Sequence, residues 1–279
     1  MRELEALRAR LRELGRVAVA FSGGADSAFL AWVAHDTLGA DSAFAVTAVS
    51  PSLAAFEHDE CAALAREWGL RWVEVRTSEL DAQEYRRNDV DRCAHCKDAL
   101  MDAVVPLAQR EGATVVLGVN LDDLDDHRPG QAVAARRGAR FPLVEAGFTK
   151  AAVREASRLL GLRTWDKPAA ACLASRVPYG TPVTIGVLSR VERAETALRQ
   201  LGFRDLRVRH YGQLARIEVP LDELERVLEH RMAVVDALHA AGYRYATLDL
   251  EGLRSGNLNA AVRSPSGAGR SRFANETHR

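Results

Sequence analysis

The sequence predicts a doubly wound α/β domain on a mostly parallel sheet, followed by a smaller α+β domain. Three observations carry this. Compact apolar runs recur at 17–21 (VAVAF), 43–49 (AFAVTAV), 72–75 and 114–119 (TVVLGV), as in strands buried on both faces. Helical patterns at 27–38, 54–68 and 94–111 alternate with them, and strand–helix alternation builds parallel sheets. Around 165–185 the texture turns rich in Pro and Gly, which marks a functional loop and a domain junction.

The elements follow in order. MRELEALRARLRELG sets leucines at helical spacing among charges and lacks the apolar core of a signal peptide, so it is an amphipathic helix. The three strand–helix units come next, with the run 114–119 as a fourth strand. After the junction a helix spans 186–201 and stops at Gly202. LRVRHYGQLARIEV is two alternating runs around Tyr211-Gly212, a hairpin. A second helix covers 221–241, and YATLDL (245–250) is a last strand. The tail RSPSGAGRSRFANETHR has the composition of a segment without fixed structure. The expected divisions are 1–165, the junction 166–185, the small domain 186–260 and the tail 261–279.

Composition narrows the function. Lys+Arg and Asp+Glu both number 38, so the net charge is zero, which argues against a generic nucleic-acid binder. No stretch approaches the ~20 apolar residues that cross a bilayer, so no membrane partner is expected. With no export signal, the expected compartment is the cytoplasm. There the four cysteines are metal ligands or reactive thiols rather than disulfides. Cys61, inside a helical pattern, is read as a small buried apolar residue.

FSGGADSAFLAWVA follows the first strand directly. Ser22, Gly23 and Gly24 turn the chain, and Asp26 and Ser27 open a helix. Glycines let backbone N–H groups approach an anion, and the helix N-terminus adds its positive dipole end. The G-K-[ST] ending of a Walker A loop is absent. Two further strand ends face the same cleft, because ligands in such sheets sit at the carboxyl ends of strands. One carries Ser50, at the edge of that cleft. The other runs into GVNLDDLDDHRPG, where Gly118 and Asn120 line the same cleft. Asp122, Asp123, Asp125 and Asp126 there are hard oxygen ligands suited to magnesium, with Asp26, Asp122 and Asp125 the preferred set.

DRCAHCKDAL contains a C-x-x-C pair, Cys93 and Cys96, readable as a redox pair, half a zinc site, part of an iron–sulfur site or two buried thiols. Lys97 beside it is a cation that could neutralise phosphates. A third cysteine, Cys172, lies in the junction with Lys167, Ser175 and Arg176. Nearby cations lower a thiol pKa and favour the thiolate. Arg207 and Arg209 of RVRHYG share one face of a strand, and two guanidiniums suit a phosphate or carboxylate.

The string SGGADS resembles the PP-loop of the ATP pyrophosphatase superfamily. Together with DKPAAACLASRVPYG, RVRHYGQLARIEV and YATLDLEGLRSGNLN, in this order, it is similar to the LarE family over roughly 10–260. The resemblance implies an ATP-dependent sulfurtransferase of nickel-pincer nucleotide synthesis, the cofactor of lactate racemase. It would adenylate the carboxylates of pyridinium-3,5-biscarboxylic acid mononucleotide and replace AMP with sulfur. It assigns phosphate contacts to Ser22, Gly23, Gly24 and Ser27, a pyrophosphate or magnesium role to Asp26, active-site roles to Cys172, Ser175, Arg176 and Glu195, and the substrate phosphate to Arg207 and Arg209.

The family has two sulfur sources: a sacrificed cysteine in the C-L-x-S-R loop, or sulfide on a 4Fe-4S cluster held by three cysteines. Cys93 and Cys96 with Cys172 supply three thiolates, which favours the cluster. A sacrificial Cys172 and a zinc site completed by His95 or water remain alternatives. So do a tRNA-thiolating enzyme and a non-catalytic nucleotide or redox sensor. The implied cofactors are ATP, Mg2+ and the cluster. The implied partners are the small nucleotide substrate, sulfide or a sulfur-donor system, other cofactor-maturation proteins and, in a homo-oligomer, copies of the chain.

Overall fold

The computed structural model describes residues 2–124, 129–168 and 171–254. Asp125, Asp126 and the tail 261–279 lie outside the described residues. Four parallel strands form the first sheet: β1 (Val17–Ala20), β2 (Ala43–Val49), β3 (Arg71–Arg76) and β4 (Thr114–Leu117), in the order β3-β2-β1-β4. Val17 pairs with Ala43 on one side and Thr114 on the other, so the chain reverses its winding between β1 and β4. That switch point is where a doubly wound sheet opens a crevice for ligands.

Helices cover both faces, which is why the strands read as continuous apolar runs. On one face lie α1 (Arg2–Leu14), α2 (Ala25–Leu38), α3 (Ala55–Trp68) and α8 (Lys150–Leu159). Leu7, Leu11, Phe29, Leu30, Leu64, Phe148 and Val153 fill that layer. On the other face lie α5 (Arg92–Arg110) and α6 (Pro129–Arg136), with Met101, Val104 and Ala134 against Phe44 and Leu117. Two short helices, α4 (Gln83–Arg87) and α7 (Pro142–Glu145), complete the connections.

After the junction, α9 (Ile185–Gln200) leads to β5 (Arg207–Tyr211) and β6 (Leu214–Glu218), an antiparallel hairpin. α10 (Leu224–Glu229), α11 (Arg231–Ala240) and β7 (Tyr245–Leu248) follow, and β7 pairs parallel with β6. This sheet has its own core of Ala194, Leu198, Phe203, Val208, Ile217 and Leu238. Among the described residues no helix is long and apolar enough to cross a membrane.

The elements depart from expectation at several points, among them the last strand, which ends at Leu248 rather than 250. The single helix 221–241 is a 3-10 turn, Leu221–Glu223, then α10 and α11, broken at His230. The His230 ring packs edge-on against Phe203 at 6.2 Å, which fixes the bend. β4 stops at Leu117 rather than 119, because Val119 N–H turns back to the Leu117 carbonyl. α8, absent from the expected elements, starts at Thr149, whose hydroxyl accepts from Ala152 N–H.

Candidate active site

The phosphate loop joins β1 to α2. Gly23 has φ +69°, a conformation glycine adopts without strain, and a Cβ there would lie 2.9 Å from Cys61 Sγ. Ser27 Oγ donates to the Gly24 carbonyl at 3.1 Å and accepts from Ser22 N–H at 3.2 Å. The Ser22 and Ser27 hydroxyls are 3.1 Å apart. The loop is therefore preformed. Cys61 behind it is buried, and burial pushes its thiol up to about 11.

Gly118 serves this loop by close approach rather than by a contact of its own. A Cβ on Gly118 would sit 2.8 Å from Ser27 N and 2.9 Å from the Asp26 carbonyl carbon. Only glycine lets the end of β4 lie on the first turn of α2. Gly118→Ala is expected to destabilise the fold by about 1–3 kcal/mol, the usual range for overpacking, and to displace Asp26. Urea unfolding and ATP-dependent turnover would report both effects. Buried Asn120 donates to Asp26 Oδ1 at 3.0 Å and accepts from Asp123 N–H at 3.2 Å, so it aims the carboxylate.

The acidic loop differs from expectation. Asp122 Oδ2 accepts the Lys150 N–H and caps the start of α8. A carboxylate at a helix N-terminus is stabilised there by the helix dipole and the N–H it accepts. Asp123 closes a capping box with Asn120. Ser50 Oγ donates to Glu79, a buried carboxylate, and accepts from Ser52 N–H at 3.1 Å, so its hydroxyl braces the loop after β2.

The cysteine loop is wired into both sheets. Leu173 N–H donates to the Ser52 carbonyl at 2.8 Å, and Lys167 Nζ donates to the Gly23 carbonyl at 3.0 Å and to Glu57 at 2.8 Å. Arg176 is buried at the hub. Its Nη1 donates to the carbonyls of Ala171 and Cys172 and to Ser175 Oγ, at 2.5, 3.2 and 3.1 Å. Its other edge grips Glu195 at 2.8 and 3.1 Å. Glu195 also accepts from Arg199 at 3.1 Å and from Val208 N–H at 3.0 Å, so both its oxygens are spent. Burial alone would raise the Glu195 carboxyl; Arg176 outweighs it and holds the carboxyl below its ordinary value. Glu195 and Arg176 position the Cys172 loop and are not free for proton transfer.

Arg209 is held by partners within the small domain and the junction. It is buried, its Nε and Nη2 bind Glu218 Oε2 at 2.9 and 2.7 Å, and its Nη1 donates to the Ser175 carbonyl at 2.8 Å. Arg207 differs. Burial, Arg176 and Arg209 together pull its pKa down to about 10, so it stays charged beside two other cations. An anion there would relieve that repulsion.

Cys96 and Cys172 pack against one apolar cluster with Tyr85 and Leu173. Burial pushes the Cys96 thiol up to about 12, and Cys172, Glu79 and Cys93 add to the shift while Lys97 opposes it. Lys97 thus acts on the cysteine pair. The three thiols are close enough to disfavour one another's charge, so a cationic group must compensate them as thiolates. Among the described residues no group of three His, Cys, Asp or Glu side chains is arranged to hold a metal ion. His95 lies 3.4 Å from Asp91.

Sequence reasoning missed Asn88, Arg92, Glu57, Glu79, Tyr85 and Glu218. Only Arg92, directly before the C-x-x-C pair, carried a local signal; the others are paired by folding.

Fold and phosphate loop together define a doubly wound α/β protein of the PP-loop kind. No family model matches the chain. It is 38% identical over 252 residues to the pyridinium-3,5-bisthiocarboxylic acid mononucleotide synthase of Lactiplantibacillus plantarum, covering 90% of this chain and 91% of that protein. The chain belongs to that synthase family, the LarE family. It is also 45% identical over 263 residues to an uncharacterized protein of Synechocystis sp., covering 93% and 98% of the two chains. An uncharacterized Methanocaldococcus jannaschii protein is 23% identical over 241 residues, covering 86% and 91%.

Proposed function

We propose that this chain is an ATP-dependent sulfurtransferase acting on the carboxylates of pyridinium-3,5-biscarboxylic acid mononucleotide. One observation carries the reading: Lys167, five residues before Cys172, donates to the Gly23 carbonyl of the phosphate loop, so the nucleotide loop and the cysteine loop share one cleft. Backbone N–H groups at Gly23–Ser27 and the N-terminus of α2 hold the pyrophosphate end of ATP. Asp26, aimed by Asn120, carries magnesium or orients pyrophosphate. A substrate carboxylate oxygen bonds to the α-phosphorus and pyrophosphate leaves. Sulfur then bonds to the acyl carbon and AMP departs with the carboxylate oxygen. Arg207 takes the mononucleotide phosphate.

Cys93, Cys96 and Cys172 would hold the sulfur-supplying group. A 4Fe-4S cluster with three protein thiolates leaves one iron open to carry the transferred sulfide. The chain's part is to keep three thiolates together beside the adenylated carboxylate and to fix Cys172 through Arg176. The cytoplasm is the compartment in which such thiols stay reduced.

The test is pyrophosphate release that requires the pyridinium mononucleotide. Wild type should release it and Asp26→Ala should not; release without that substrate would favour another acceptor, tRNA among them. Arg207→Ala should raise the KM for the mononucleotide ~10-fold or more, since a hydrogen bond to a charged group is worth about 1.5–3 kcal/mol. The KM for ATP should stay within about twofold. Equal losses for both substrates would take Arg207 out of the phosphate site.

A further inference from the structure

Three buried arginines surround the cysteine loop, and they are not equivalent. Arg176 is paired with Glu195 and Arg209 with Glu218. Arg92 is as buried, at 5% exposure, yet its partners are neutral. Its Nη1 donates to Asn88 Oδ1 and to the Ala174 carbonyl at 2.8 Å, and its guanidinium lies over the Tyr179 ring at 5.7 Å. Among the described residues no carboxylate pairs with it.

A buried cation with only neutral acceptors is costly, because the water it lost is not replaced by an opposite charge. Ala174, which it holds, is two residues from Cys172, and Arg92 itself precedes Cys93. Asn88 fixes the geometry. It is fully buried, takes a left-handed φ of 61°, and its amide donates to the Pro178 and Thr181 carbonyls at 2.8 Å each. Asn88 thereby aims the guanidinium while tying it to the cysteine loop.

We propose that Arg92 is the buried counter-ion of the sulfur site, balancing the negative charge of Cys93, Cys172 and the sulfide-bearing group they hold, with Asn88 as its positioning residue. The inference rests on the three-cysteine reading above. Three thiolates and a bound sulfide are a concentrated negative charge, and a fixed cation in a poorly solvated site stabilises it without reorganising.

The experiment compares wild type, Arg92→Lys, Arg92→Gln and Arg92→Met, all purified anaerobically. It measures iron and acid-labile sulfide, the reduction potential of the bound iron–sulfur group, and the affinity for added sulfide. Lys keeps the charge without the fork; Gln keeps a donor for the Ala174 carbonyl without the charge. Arg92→Lys should retain the iron and the potential. Arg92→Gln and Arg92→Met should show a more negative potential and sulfide affinity weaker on the order of tenfold. Neutral variants with wild-type potential and sulfide affinity would overturn the counter-ion role. So would a Lys variant that fails as badly as Gln, since that would make Arg92 purely structural. A wild type that binds no iron would instead overturn the three-cysteine reading, and the inference with it.

Discussion

Alanine at Cys93, at Cys96 or at Cys172 is expected to remove the bound iron and to abolish sulfur transfer, each substitution acting alone. Two thiolates rarely retain a cubane cluster, so every one of the three is needed. Pyrophosphate release should survive in all three variants, because the phosphate loop is held by Ser27, Gly118 and Asn120 on other strand ends. Wild type supplied with iron and sulfide should turn over repeatedly with no change in protein mass. A sacrificial Cys172 gives a different pattern: only Cys172→Ala is inactive, and its one turnover lowers the protein mass by about 34 Da as the sulfur leaves to give dehydroalanine. Intact mass after one turnover, on wild type and Cys93→Ala, separates the two. Full activity in Cys93→Ala with a mass loss at Cys172 would end the cluster reading.

The second large effect is expected at Arg176. Arg176→Ala leaves Glu195, wholly buried, with Arg199 and one backbone N–H as its remaining partners. Removing one partner of a buried pair costs about 3–5 kcal/mol. Urea unfolding at neutral pH should show a loss of that size. The loss has a pH signature. In wild type the folded Glu195 carboxyl lies below its ordinary value, so its contribution is present above the unfolded pKa and is lost as pH falls through the depressed one. In the variant, burial dominates and raises the carboxyl, so the folded state binds the extra proton. The penalty should therefore shrink as pH falls from 7 toward 5. A penalty independent of pH would place the damage in the Cys172 loop, whose carbonyls Arg176 also holds.

Much of the first sheet was legible because its signals are local. The run AFAVTAV, buried on both faces, is β2 from end to end, Ala43–Val49. Gly23-Gly24 followed by Asp26 and Ser27 marks the phosphate loop because a tight turn and a helix start both need specific residues there. Side-chain pairing was not legible. Arg207 and Arg209 look alike in sequence, yet it is Arg209 whose Nε and Nη2 both donate to Glu218 on the neighbouring strand. Nor does the sequence show that the Asp122 carboxylate meets the Lys150 N–H at the start of α8.

The sequence by itself determined the strand–helix alternation and the glycine turn after β1, and it singled out Cys93, Cys96 and Cys172, since periodicity, glycine placement and residue type are properties of short segments. Only the tertiary structure decided which charges are spent and which remain. Arg92 and Glu195 show why. Glu195 is fully consumed by Arg176, Arg199 and the Val208 N–H, from the junction, its own helix and β5. Arg92 is buried against Asn88, Ala174 and Tyr179 with no acidic partner among the described residues. The cost of burying a charge depends on what folding brings within a few ångströms of it, and no spacing along the chain encodes that.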